Sequence, residues 1–306
     1  MMRFVRSIPI AICGLSLALV ALGNLLLPHG AIFRYICGVL SVIVLVIFMM
    51  KVILDWPHAK AELGLPVPLS VLPTSTMAFL LLTTYIRPYL GALSVFLWIV
   101  GIILHLLIMA VFFKKYILCF KIGNVFPSWF IQFVGFVAIS VTAPAMGMPV
   151  VGQTAFYLGF ILYFVALVLI LLRRSKPIFV LEPLRLTTVI FTAPMSLLIV
   201  GYFASFQQRN VLLIYIMLII AVLSYAYVTF KMITTFLKIK FYPTYAAFTF
   251  PYVISAIAFR QGNNFLSAQG VDFLAPLAVV SEWVAIILVL YVLIHFIRFF
   301  KYILSF

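Results

Sequence analysis

The residues that could do chemistry are few: five carboxylates, four histidines and three cysteines in 306 residues. No HExxH motif, paired carboxylates, glycine-rich phosphate loop or Asp-rich diphosphate motif is present. An enzyme reading, a metal site and a cofactor site therefore have no residues to stand on. Cys13, Cys37 and Cys119 are isolated in or beside apolar runs and read as inert thiols. Two ionisable groups fall deep inside apolar runs, Glu282 and His105. Glu282 has two readings, a proton or ion ligand or a carboxyl hydrogen-bonded to a neighbouring helix. His105 reads as a neutral packing residue. The remaining candidate is steric. Phe250 stands before Pro251 in the uncharged stretch 243–259. A proline inside a helix removes one hydrogen bond and pushes on the carbonyl four residues back, here that of Ala247. In hydrocarbon a freed carbonyl must face protein or a water-filled cavity. A large ring there, flanked by Ala246, Ala247, Ser255 and Ala256, can plug a path.

The elements that hold these residues are membrane spans. The chain is 67% hydrophobic and 8% charged, with a mean hydropathy of +1.33, whereas a soluble domain has about 25% charged residues. At about 20 apolar residues per span, ten spans are predicted. They lie near 8–27, 31–52, 67–86, 91–112, 127–147, 152–172, 186–205, 211–231, 243–259 and 275–297. The start reads as an uncleaved first span rather than a signal peptide, and no separate soluble domain is expected. The net charge of +15 is spread over short loops and span ends, which argues against nucleic-acid binding. Sixteen of the twenty Lys and Arg residues fall on the side of both termini. That side is predicted to be cytoplasmic, and the chain a multi-pass protein.

The spans repeat in pairs. Pro68, Pro127, Pro183 and Pro243 open successive odd spans at intervals of 59, 56 and 60 residues. One transmembrane domain, 1–306, is expected, built from five helical hairpins near 1–57, 58–115, 116–175, 176–240 and 241–306. Odd spans carry prolines (Pro9, Pro73, Pro144, Pro194, Pro251) and hydroxyls, among them Ser75, Ser140, Thr192 and Ser255. Even spans run in Leu, Ile, Val and Phe. Kinked, hydroxyl-bearing helices belong inside and straight greasy ones against lipid. The expectation is an all-α fold with an inner ring of five odd helices around a central pore. No odd span holds Asp, Glu, Lys or Arg. A pore of hydroxyls and small residues has no fixed negative charge, and its basic mouth concentrates anions.

The strings SIPIAICGLSLAL (7–19), PSWFIQF (127–133), LEPLRLTTVIFTAP (181–194) and AAFTFP (246–251) resemble the tellurite-resistance and dicarboxylate transporter family. That family includes bacterial TehA and the plant guard-cell slow anion channels. The resemblance implies a quasi-fivefold ring of hairpins, a homotrimer with one pore per subunit, and a bacterial inner membrane. It implies that Phe250 closes the pore and that Pro9, Pro73, Pro144, Pro194 and Pro251 are the kinks lining it. The long terminal regulatory tails of the plant members have no counterpart here. Small inorganic or organic anions are the expected partners, with membrane lipid around the chain. The alternatives are a proton-coupled C4-dicarboxylate carrier of the same family and, in another class, a membrane enzyme or scaffold.

Overall fold

The computed structural model describes residues 2–305, without the side chain of Arg3. Every element in that range is helical. The principal helices are α1 (Ile12–Leu26), α2 (Ala31–Leu54), α3 (Pro73–Leu90), α4 (Ala92–Phe112), α5 (Val137–Thr142), α6 (Pro149–Arg174), α7 (Ala193–Ser205), α8 (Val211–Thr234), α9 (Phe250–Ser267) and α10 (Ala275–Leu304). Eight helical stretches among the described residues are long and apolar enough to cross a membrane. The two other predicted spans, 127–147 and 243–259, are helical but broken. The first divides into Trp129–Val134, α5 and a tight turn at Ala143–Met146. The second begins in a 3₁₀ turn, Pro243–Phe248, before α9 starts.

The even helices each bury one stripe. In α2 it is Cys37, Ser41, Val44, Phe48 and Lys51, and in α10 Ala278, Ser281, Ala285, Leu288, Val292 and Phe296. Spacings of three and four residues place each set on one face. The opposite faces expose Ile43, Val46, Trp283 and Ile287. Only 22–33% of the most apolar stretch of each even helix is buried, against 61–83% in the first, second and fourth odd segments. Helix α1 packs on α3, α3 on α5, α5 on α7, α7 on α9, and α9 back on α1.

Each odd segment is jointed, and the prolines explain how. Pro73 is the first residue of α3, while Pro194 and Pro251 are the second residues of α7 and α9. They were expected to bend continuous helices. They instead open new ones in mid-segment, where a missing N–H costs little because first-turn N–H groups have no intrahelical partner. Pro9 lies in the gap between a short helix, Met2–Ser7, and α1. Pro144 differs, lying in the tight turn after α5. The joint of that segment is at Gly135 instead. A Cβ there would lie 2.2 Å from the carbonyl oxygen of Ile131 and 3.0 Å from Met77 Sδ.

Two helices run past the ends of their predicted spans. Helix α9 continues beyond 259 to Ser267. Helix α3 runs through Pro88 to Leu90.

Candidate pore

The joints leave space between the odd segments. A cavity of about 450 Å³ is lined by Pro9 and Gly14, by Val71 and Met77, by Ile131 and Gly135, by Thr187 and Pro194, and by Ala247 and Phe250, two residues from each odd segment. No residue of α2, α4, α6, α8 or α10 is on its wall. The wall does not extend past the first turns beyond the joints. Its last residues there are Gly14, Met77, Leu197 and Pro251. Beyond them α1, α3, α7 and α9 continue as regular helices packed on one another.

Phe250 is 8% exposed and forms part of the wall at the start of α9. Thr249 before it has an irregular backbone (φ −96°, ψ −83°), and its hydroxyl donates to the Ala246 carbonyl at 2.7 Å. Pro9, Pro194 and Pro251 share the wall with it, whereas Pro73 and Pro144 are not among the lining residues.

Ser75, Ser140, Thr192 and Ser255 lie elsewhere. Ser75 Oγ donates to Leu72 O at 2.7 Å, next to the joint at Pro73. Ser140 Oγ donates to Gly201 O at 3.1 Å, and Ser205 Oγ returns a bond to Ser140 O at 2.6 Å. Thr192 Oγ1 donates to Val189 O at 3.2 Å. Ser255 Oγ reaches both Pro251 O (2.8 Å) and Thr192 O (3.1 Å), and Ser196 Oγ also donates to Thr192 O at 2.9 Å. These hydroxyls satisfy carbonyls at and beyond the joints and stitch α5 to α7 and α7 to α9. None of the four lies on the cavity wall.

The polar side chains on the wall are different ones: Thr74, Thr187, Thr244 and Glu62. Thr74 Oγ1 donates to Val71 O and touches Cys13 Sγ at 3.0 Å. Thr244 Oγ1 has no hydrogen-bond partner among the described residues. Glu62, from the connection after α2, is also on the wall. A pore free of fixed negative charge was expected, and this carboxylate departs from that. It is held in a specific place. Its Oε1 accepts the Ile10 N–H at 2.9 Å, one of the donors freed by the joint at Pro9. Its Oε2 lies 3.4 Å from Lys51 Nζ, whose side chain is 4% exposed and which donates to Arg6 O at 2.8 Å. Lys115 Nζ donates to Gly64 O at 2.7 Å and fixes the turn that follows Glu62. Glu62 was not legible in the sequence, because it ends a short helix, Trp56–Glu62, in a connection between predicted spans, and no local pattern shows that this connection folds under Pro9.

The two deep ionisable groups are away from the cavity. Glu282 accepts from His29 Nε2 at 2.6 Å and pairs with Arg260, which also donates to Leu25 O. This ties α10 and α9 to the end of α1, which the hydrogen-bonded reading of Glu282 anticipates. His105 is buried on the inward stripe of α4, with Nδ1 2.7 Å from Thr76 Oγ1.

A family model described as SLAC1, voltage-dependent anion channel, matches residues 6–298. No curated protein matches the chain.

Proposed function

The chain belongs to the SLAC1 family of voltage-dependent anion channels, and on that premise we propose that it passes small inorganic or organic anions along the axis between its odd helices, with Phe250 as the plug. The observation that carries this reading is the cavity: every odd segment contributes to its wall, no even helix does, and Phe250 is part of it where the space ends. An apolar constriction of this kind gates by excluding water. The wall offers one unpartnered hydroxyl, Thr244, and one carboxylate whose charge is matched by Lys51. Selection then follows size and ease of dehydration rather than a tight site.

The wider proposal is a quasi-fivefold ring of five hairpins, with ten spans. The basic end and both termini face the cytoplasm, in a bacterial inner membrane, and the assembly is a homotrimer with one pore per subunit. Reversal potentials of the purified protein in planar bilayers with asymmetric anion gradients test the central claim. Currents that follow the cation gradient, or a Phe250→Ala variant that folds and conducts no better than the parent, would overturn it.

The proton-coupled C4-dicarboxylate carrier keeps one supporting observation, the carboxylate of Glu62 on the cavity wall. Under that reading uptake tracks an imposed proton gradient and is lost in Glu62→Gln. Under the channel reading it does not track the gradient.

A further inference from the structure

A second hollow of about 360 Å³ lies beside the central cavity, between the third and fourth hairpins. Its wall carries Arg173, Arg174, Lys176 and Arg185, and no carboxylate. The chain's five acids are engaged elsewhere: Asp55 with His58, Glu62 with Lys51, Glu182 with Tyr242, Asp272 with Ser267, and Glu282 with Arg260 and His29. Four cations therefore line this hollow without a counter-ion among the described residues.

Arg173 is the informative member. It is 9% exposed, its guanidinium lies 4.8 Å from the centre of the Phe126 ring, and its Nε has no hydrogen-bond partner. A buried charged donor left without an acceptor is strongly unfavourable. A bound anion removes that cost, and the guanidinium fork matches phosphate oxygens. The neighbours are held in place around it. Arg174 Nη2 donates to Tyr227 OH at 2.9 Å, and Arg185 Nε donates to Val180 O at 3.3 Å. Ile178 and Phe179 form an apolar edge, with Phe179 78% exposed.

We infer that this hollow binds a phosphate-bearing anion, with the phosphate seated on Arg173 and flanked by Lys176 and Arg185. Two sources share that chemistry, an anionic phospholipid at the membrane surface and free phosphate. The apolar edge at Phe179 suits an acyl chain. Phe126, Leu184 and Thr187 line both this hollow and the central cavity, so the occupant sits one layer of side chains from the proposed path.

The test measures binding, not transport, and so stands apart from the channel reading. The full chain, purified in detergent, is titrated with phosphatidylglycerol, phosphatidylcholine or inorganic phosphate while bound lipid is counted by native mass spectrometry and thermal stability is followed. The Lys176→Gln/Arg185→Gln pair changes only exposed side chains, and Arg173→Lys keeps the charge without the fork. If the ligand is a lipid, phosphatidylglycerol binds more tightly than phosphatidylcholine, and its affinity falls roughly tenfold in the double variant through loss of charge-assisted bonds. If the ligand is the free ion, inorganic phosphate alone protects the parent and not the double variant. Equal binding of both lipids with no protection by phosphate, or affinities unchanged in the double variant, overturns the inference. Should Arg173→Lys fail to fold, the double variant decides.

Discussion

The odd segments have two unlike halves, divided at their joints. On the side of Pro9, Gly135 and Pro243 the backbone is irregular, and a cavity opens between segments. On the other side the helices are regular, and the space between them is filled. Ser16, Ser140, Ser196, Ser205 and Ser255 are fully or almost fully buried there and bonded across or along the helices. Small residues allow the close approach. A Cβ on Gly201 would come within 2.8 Å of Val137 Cγ1. The hydroxyls and the prolines, which occur together in the sequence, therefore have separate tasks. Prolines and Gly135 make space by breaking helices, while serines remove it by stitching them.

The largest expected effect comes at the boundary between the halves. Truncating Phe250 to alanine removes about 1.5–3 kcal/mol of apolar burial from the closed state. Single-channel or macroscopic conductance then rises by about one to two orders of magnitude. Phe248 is the control. It stands two residues away, stacked on Tyr245 at 4.9 Å, and is not on the cavity wall. Phe248→Ala is expected to lower stability and leave the pore shut. Equal conductance in the two variants removes the plug from Phe250.

Next in size is the packed half. Gly201→Val overpacks the contact with Val137 and Ser140 and destabilises by about 1–3 kcal/mol. The expected readout is a clearly lower melting temperature in detergent. An unchanged melting temperature shows that the helices there are looser than the contacts indicate.

In the open half, Lys51→Met leaves Glu62 uncompensated on the wall. An added unit of negative potential there of about 1 kcal/mol slows anion passage roughly fivefold. Adding Glu62→Gln to the same chain restores the current. If the double variant stays as slow as Lys51→Met, the effect of Lys51 is structural and not electrostatic.

A single stitch in the packed half carries little energy. Ser255→Ala loses a stitch between α9 and α7, worth about 0.6 kcal/mol in a membrane setting. A slight loss of stability with unchanged anion selectivity fits a stitch. A change in selectivity at full stability would return Ser255 to the pore wall.

Much of this architecture is legible in the sequence. The period of the prolines near 60 residues, the charge-free odd segments and the greasy even ones are properties of residue type and spacing. They led to hairpins with an inside and an outside, because lipid tolerates only satisfied backbone and apolar surface. Phe250 was singled out by its place before Pro251. Which hydroxyls face the cavity was not readable. A serine whose Oγ can reach a carbonyl three or four residues back satisfies itself locally and leaves no demand for water. That choice depends on which neighbour's carbonyl comes within reach, as Thr192 O does for both Ser196 and Ser255.

Residue type and spacing are enough to fix the class of protein, the succession of apolar helices and the interruption of most odd segments near their prolines, since proline chemistry and hydropathy act locally. Only the folded chain sets where the interruptions leave space, that Glu62, at the end of the short helix after α2, answers the N–H of Ile10, and that Arg173 and its neighbours face no acid among the described residues. Those outcomes depend on groups far apart in the chain meeting at a few ångströms, where a charge or a freed donor must find a partner or go without one.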